Sequence, residues 1–159
     1  MRSVLRFCLN TSLGIWLGAT VFFLLVLITL FGQIPAEAGR VASLLFPTYY
    51  ITGVFCALFA LASAVLLAVF ARQAGWARKL TPVVLVLAMA GVNYYGGWVV
   101  LPEARAARIE IHLSKTSPAK AAKARERFQR LHRLSIQLFG VVFFLLAVTL
   151  LFTTFTLRS

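Results

Sequence analysis

The sequence predicts an all-α membrane protein: four transmembrane helices in an antiparallel bundle, with an extramembrane basic helical hairpin between spans three and four. Hydrophobic residues make up 61% of the 159 positions, and the mean hydropathy is +0.91, well above soluble domains. Four runs without a charged residue each exceed the roughly 20 residues that a helix needs to cross the bilayer. These runs are residues 7–36, 41–71, 80–102 and 134–157. Transmembrane strands alternate over only ~10 residues, so the runs are helical.

The first span is predicted over residues 10–32. It follows two arginines and ends in a small-x-small pattern at residues 36–38, as a secretory signal does. Its uncharged run of 30 residues is longer than the roughly 7–15 residues of a signal, which favours a retained helix. Gly14 and Gly18 form a GxxxG pattern at which another helix can approach closely, and packing within the chain is favoured over dimerisation.

The second span is predicted over residues 47–71, after a turn at residues 33–40. A proline is well tolerated in the first turn of a helix, where its missing N–H costs nothing, so we place the start at Pro47. Tyr49 and Tyr50 suit the headgroup layer. Small side chains then recur at helical spacing and predict a close-packing face against the first span. They include Gly53, Ala57 and Ala64.

The third span is predicted over residues 81–101, with Thr81 as its N-cap and Pro82 at the first helical position. Asn93 is its chief polar residue. Because an amide in hydrocarbon is costly unless it is hydrogen-bonded, Asn93 should face the bundle.

The exit from the third span leads into a basic arm, residues 103–133, with nine basic and three acidic residues. Trp98 fits the aromatic belt at the membrane surface, and Pro102 should kink or restart the helix. A second break is predicted at residues 115–118, with Ser117 as N-cap. The arm is therefore expected to fold into a hairpin of two helices.

The second helix of this hairpin is predicted to continue into the fourth span, residues 134–157. A helix from Pro118 to Leu157 would measure about 60 Å, twice the hydrocarbon thickness, so half of it must project. Folding the hairpin about Thr116 sets Ala104 opposite Phe128. Small and apolar residues repeat along the helix as a heptad seam. The seam is Ala121, Ala124, Phe128, Leu131, Ser135, Leu138 and Val142.

The net charge of +12 indicates anionic partners. A basic arm beside a membrane span more often meets anionic lipid, at about 1 kcal/mol per Lys or Arg, so lipid is favoured over nucleic acid. A protein partner on residues 103–133 is the other possibility. The headgroup candidates are Arg105, Arg108, Lys120, Lys123, Arg127 and Arg130. For Arg105 and Arg108, an anchor solvated beside Glu103 and Glu110 is equally open.

The distribution of basic residues also predicts an orientation. With four crossings, ten basic residues lie on the side of the arm and six on the other. In a bacterial inner membrane, the predicted location, the positive-inside rule then places the hairpin in the cytoplasm and both termini outside.

Three groups of residues, in the same order along nearly the whole chain, carry a resemblance to a known family. They are residues 45–50, Leu-Phe-Pro-Thr-Tyr-Tyr; Asn93 with Trp98, Pro102 and Arg105; and Phe128 with Leu131, His132 and Ser135. Together they resemble the transmembrane protein 205-like family, four-pass membrane proteins whose bacterial members carry a domain of unknown function. The resemblance implies a four-helix membrane fold and no particular chemistry. The animal relative's association with resistance to platinum drugs implies transport or trafficking at most.

A candidate polar boundary site lies where spans three and four reach the membrane surface. His132 would be the titratable residue of this site, able to sense pH or relay a proton. The favoured interpretation, however, is that His132 only forms a hydrogen bond at the interface. For Asn93, a single interhelical hydrogen bond is likewise favoured over a polar path. The site residues are Asn93, Trp98, Pro102, Arg105, His132 and Ser135.

No catalytic residue, cofactor or metal is predicted. Only four acidic residues exist, none inside a span, and no Ser or Cys stands at a recognisable spacing from a histidine. Haem would need two axial ligands inside the bilayer, but His112 and His132 both lie in the arm. A soft-metal site would need clustered Cys, Met or His, whereas Cys8, Cys56 and Met89 are scattered.

Two functional hypotheses remain. The first is a non-enzymatic scaffold, or a protein that binds a partner or lipid through the hairpin. The alternative is a small transporter, or a transporter's accessory subunit, with its polar site at the membrane boundary. A transporter needs a polar cavity reaching the bilayer midplane, whereas a scaffold should have a dry core and carry its polar residues on the hairpin.

Overall fold

The computed structural model describes residues 1–70, 75–113 and 117–156, and these residues contain five α-helices, one π-helical turn and no strand. The helices are α1 (Arg2–Gln33), α2 (Pro35–Phe70), α3 (Trp76–Tyr95), α4 (Leu101–Leu113) and α5 (Pro118–Thr156). The π turn, Gly96–Val100, joins α3 to α4.

Four stretches of these helices are long and apolar enough to cross a membrane: Arg2–Gln33, Glu37–Phe70, Lys79–Ile111 and Pro118–Phe155. The third stretch passes through α3, the π turn and α4. The prediction of an all-α membrane protein with four transmembrane helices is thus confirmed.

The core lies where α1, α2, α3 and α5 meet. Helix α2 presents a face of small side chains, on which Ala57 and Ala64 lie buried. Because small side chains let helices approach closely, larger residues of the other three helices pack against this face. They are Leu9, Leu13 and Trp16 of α1, Val86 and Met89 of α3, and Val142 and Leu146 of α5.

Large apolar side chains also cover the outside of the bundle. Phe59, Phe144 and Phe155 are each about two-thirds exposed. Soluble proteins seldom expose apolar area on this scale, so this surface is the one that lipid covers.

Helix α5 runs unbroken for 39 residues from Pro118 to Thr156, which confirms the predicted continuous helix as far as the described residues extend. At 1.5 Å per residue it is about 58 Å long. None of the seven seam positions is exposed, and Ala124 and Val142 are buried. The heptad seam therefore faces the neighbouring helices along both the basic part and the apolar part of α5.

The predicted helix start at Pro47 is wrong, and so is the predicted turn at residues 33–40. A single non-helical residue, Ile34, separates α1 from α2. Its carbonyl accepts hydrogen bonds from the backbone amides of Glu37 and Ala38, at 3.0 and 2.9 Å. Helix α2 then continues through Pro47. A membrane helix tolerates an internal proline when a neighbouring helix bonds the carbonyl that the proline leaves free.

The predicted helix start at Thr81 and Pro82 is wrong, because the helix begins before these residues. Helix α3 begins at Trp76, with Gly75 in an extended conformation before it, so Pro82 lies inside the helix. Thr81 is not an N-cap. Its hydroxyl donates backward to the carbonyl of Ala77 at 2.7 Å, as threonines within membrane helices commonly do.

The predicted kink or restart at Pro102 takes the form of the π turn that precedes it. The amide of Leu101 donates to the carbonyl of Gly96, five residues back. A π turn inserts an extra residue, so side chains before and after it lose their ordinary helical register.

Gly14 and Gly18 do not serve as the predicted contact within the chain. A Cβ built at either glycine would meet no atom within 4 Å. Helix α1 instead buries a different face, and Asn10 joins it to α5 by accepting a hydrogen bond from the hydroxyl of Thr153 at 2.7 Å. The predicted hairpin turn at Thr116 and the end of the fourth span at Leu157 lie outside the described residues.

Candidate functional site

Asn93 is 2% exposed and lies between α3 and α2. Its Nδ2 donates to the carbonyl of Tyr50 at 3.0 Å. The amide lies directly on Gly53, where an added Cβ would be 2.6 Å from Oδ1. Glycine at position 53 therefore makes the room for Asn93, whose Nδ2 forms a polar contact with the Tyr50 carbonyl inside the bundle.

One turn further along, the π turn lies against the ring of Tyr50. A Cβ at Gly96 or at Gly97 would come within 2.9 Å of that ring. The absence of side chains at these two positions brings the π-turn backbone onto α2. Tyr50 belongs to an aromatic cluster of the interior whose other members are Phe23, Phe46, Tyr49 and Phe139.

Arg105 of α4 bonds the carbonyl that Pro47 leaves without a donor. A proline has no N–H, so the carbonyl of Ser43, four residues earlier, loses its partner within the helix. The Nη2 of Arg105 donates to this oxygen. The contact explains the uninterrupted course of α2 through Pro47.

Arg108 repeats this contact one turn nearer the start of α2. Its Nη1 donates to the carbonyl of Gly39. A Cβ at Gly39 would lie 3.2 Å from two guanidinium nitrogens, so this glycine admits the arginine. Residues three apart on α4 thereby contact residues four apart on α2, which is the spacing of neighbours on one helix face.

A cavity of about 510 Å³ lies between α1, α2, α4 and α5, beside these two arginines. Its walls are mostly apolar, with Leu24 and Leu27 from α1, Phe46 from α2, and Ile136 and Phe139 from α5. Arg105, Arg108, Ser43, His132 and Ser135 supply its polar groups. We refer to this space as the boundary cavity.

The boundary cavity brings together three of the six residues predicted for the polar site, Arg105, His132 and Ser135. The His132 ring is stacked on that of Phe128, with centroids 6.0 Å apart and planes 7° apart. The other three residues lie elsewhere. Pro102 is exposed, Trp98 is half exposed and stacked on Tyr94 with centroids 5.2 Å apart, and Asn93 is buried on Gly53.

The predicted headgroup residues divide into two sets. Arg105 and Arg108 line the boundary cavity, whereas Lys120, Lys123, Arg127 and Arg130 are exposed on α5. Two of the exposed residues form ion pairs, Arg127 with Glu103 at 3.2 Å and Arg130 with Glu126 at 3.5 Å.

Sequence reasoning missed Ser43 and Gly39, the partners of the two arginines. Pro47 could have identified Ser43 as an acceptor, because a proline inside a helix leaves the carbonyl four residues before it without its helical donor. Nothing in the sequence points to Arg105 as the donor.

The arrangement offers binding chemistry. Two guanidinium groups, one imidazole and two hydroxyls face an apolar space, a combination suited to an anion that carries an apolar part. Within residues 1–70, 75–113 and 117–156, no group of three His, Cys, Asp or Glu residues is arranged to hold a metal ion.

Comparison with known proteins identifies a family but no characterised relative. A family model described as a domain of unknown function, DUF4149, matches residues 11–112, which is more than half of the chain. The match begins in α1 and ends in α4, before α5. No curated protein and no solved structure matches the chain.

Proposed function

The chain belongs to the DUF4149 family, a domain of unknown function, and we propose that it is a non-enzymatic membrane scaffold whose basic hairpin binds anionic lipid. In this proposal the spans form an antiparallel bundle, and residues 103–133 form the hairpin. The hairpin faces the cytoplasm of a bacterial inner membrane, and both termini lie outside. The resemblance to the transmembrane protein 205-like family belongs to the same proposal and adds only the four-span fold.

The exposed basic surface of α5 is the observation that supports this function best. Residues 118–133 contain six basic residues and one acidic residue. All six basic side chains are exposed. The ion pairs of Arg127 and Arg130 are also exposed, and pairs of this kind contribute only about 0–1 kcal/mol, so they leave most of the positive field available to a partner.

The length of α5 supports a location of this surface next to the headgroups. A helix of about 58 Å is nearly twice as long as the ~30 Å hydrocarbon layer is thick. Because residues 134–155 are uncharged, in this proposal they lie in the hydrocarbon layer, and residues 118–133 extend beyond it. Basic residues directly beside a span attract anionic lipid by about 1 kcal/mol each.

The structure gives less support to the transporter alternative. Transport through a polar path would need Asn93 on a cavity. Asn93 is instead buried between two helices, its Nδ2 is bonded to the Tyr50 carbonyl, and it does not line the boundary cavity, whose walls are mostly apolar.

Removing four of the exposed charges tests the proposal. We expect replacement of Lys120, Lys123, Arg127 and Arg130 by glutamine to weaken binding to phosphatidylglycerol vesicles at least tenfold. The reason is that each charge contributes about 1 kcal/mol before screening by salt. The measurement is co-sedimentation of the full chain, held in phosphatidylcholine nanodiscs, with the vesicles.

The matched control replaces the two lysines by arginine and the two arginines by lysine at the same four positions. It keeps every positive charge, so it should bind the vesicles as well as the unchanged chain does. Equal binding by the glutamine variant and the unchanged chain would disprove the lipid proposal. If the unchanged chain did not bind the vesicles but bound an acidic protein through these residues, the partner would be a protein and not lipid.

The proposed topology has its own test. In sealed, oriented membranes, we expect a lysine reagent that cannot cross lipid to modify Lys79 and Lys120 from opposite sides, since one span separates them. Peptide mass spectrometry would locate the modified residues. Modification of both from the same side would contradict an odd number of crossings between them.

A further inference from the structure

The boundary cavity has one polar end and one apolar end. The polar end lies at Arg108 and Gly39, in the first turns of α2. The other end lies at Leu24 and Phe139, next to the aromatic cluster of the interior. The cavity therefore extends from the membrane boundary toward the middle of the bilayer, and its polarity changes in the same direction as that of the lipid around it.

The two arginines at the polar end have unused hydrogen-bonding capacity. Each guanidinium carries five N–H donors, and the contacts with Ser43 and Gly39 use one on each. The ion pairs within residues 1–70, 75–113 and 117–156 include neither Arg105 nor Arg108. The carbonyl contacts also fix the position of both groups. An anion placed here would meet two oriented cations that no carboxylate of the described chain neutralises.

The apolar end has the size and access that an acyl chain requires. The volume of the whole boundary cavity, about 510 Å³, falls within the ~300–1,000 Å³ of ordinary ligand sites. Ile136 lies on its wall and is 59% exposed, so the cavity reaches the outer apolar surface of the bundle. A lipid could enter sideways from the bilayer. A small inorganic anion would bind the arginines but leave the apolar wall uncovered.

From this combination we infer that the boundary cavity binds one anionic phospholipid molecule, with its phosphate on Arg105 and Arg108 and one acyl chain between Leu24, Phe46 and Phe139. A phosphate accepts paired hydrogen bonds from arginine, and the acyl chain replaces water on the apolar walls. The inference extends the proposed function from a charged surface to a single bound molecule. It depends on different residues, so either can fail while the other stands.

The test is native mass spectrometry of the full chain after exchange into a detergent that contains phosphatidylglycerol. We expect one phosphatidylglycerol per chain, retained at least tenfold more than phosphatidylcholine. The double variant Arg105→Gln, Arg108→Gln should lose this preference. The four-glutamine variant of α5 should keep it, which separates this site from the exposed basic surface.

A second variant tests the apolar end without touching a charge. Ile136→Trp extends a side chain into the cavity and should reduce the retained lipid at least tenfold, whereas Ile15→Trp, at an equally exposed position of α1 away from the cavity, should not. If the double arginine variant did not fold, Ile136→Trp alone would decide.

Three results would overturn the inference. They are equal retention of phosphatidylglycerol and phosphatidylcholine, unchanged retention in Ile136→Trp, and displacement of the lipid by inorganic phosphate or a free fatty acid at the same concentration. The last result would show that a headgroup or a chain alone is what the site recognises.

Discussion

Replacing Gly53 by alanine should lower the free energy of unfolding by about 1–3 kcal/mol, the usual cost of overpacking a well-filled interior. The new Cβ would lie 2.6 Å from Oδ1 of Asn93 and 2.9 Å from its Cγ and Nδ2. An amide that moves away from the new Cβ weakens its bond to the Tyr50 carbonyl. That bond alone is worth about 0.6 kcal/mol on average between membrane helices, so the steric effect dominates. Thermal unfolding in detergent would measure the change.

A second substitution identifies the cause. In an Asn93→Ala background the three atoms that the new Cβ meets are absent, so Gly53→Ala should cost far less there. Gly14→Ala and Gly18→Ala are matched controls in an equally apolar helix, and both should be nearly neutral because their Cβ atoms meet nothing within 4 Å. An equal loss from Gly53→Ala with and without Asn93 would show that the contact with Asn93 is not what excludes a side chain.

Arg105→Met should destabilise the protein by about 1–3 kcal/mol, since it keeps the apolar stem but leaves the carbonyl of Ser43 without a donor. The effect should depend on Pro47. In a Pro47→Ala variant the residue at position 47 has its own N–H and can restore the helical bond to Ser43. Arg105→Met should then be nearly neutral, which corresponds to a coupling of about 1–2 kcal/mol in a double-mutant cycle.

Arg108→Met is the control for this cycle. Its acceptor is the carbonyl of Gly39. The residue four positions later is Ser43, whose N–H can donate to this carbonyl within the helix, so this acceptor does not depend on a proline. The loss from Arg108→Met should be the same whether residue 47 is proline or alanine. Identical losses from Arg105→Met in the two backgrounds would contradict the proposed role of Arg105.

These contacts also bear on the proposed binding functions. Asn93, Arg105 and Arg108 bond three carbonyls of α2, those of Tyr50, Ser43 and Gly39. Together they fix the path from α3 through the π turn into α4. The same path forms one wall of the boundary cavity, so the residues that stabilise the bundle also shape the candidate lipid site.

The number of spans and the continuity of α5 could be predicted because both depend on local patterns. A charge-free run of sufficient length has few alternatives to a membrane helix. The alternating spacing of three and four from Ala121 to Val142 predicted which face of α5 turns inward, and the structure keeps all seven positions from exposure.

The helix starts were less predictable. The preference of proline for the first turn of a helix predicts helix starts at Pro47 and Pro82, yet both prolines lie inside longer helices. The polar site was half predictable. Arg105 lies on the cavity, whereas Trp98, which is part of the π turn, is stacked on Tyr94 instead.

The sequence by itself determined that this chain has four membrane-spanning helices and that α5 begins with a basic part, because hydropathy, charge and periodicity act between neighbours along the chain. Only the tertiary structure decided that Arg105 bonds Ser43, 62 positions away, and that Asn93 bonds Tyr50, 43 positions away. It also decided that a cavity remains between α1, α2, α4 and α5. Such contacts join donors and acceptors on different helices. Any of several partners satisfies the local chemistry of each residue, and only the packing of the whole bundle selects one.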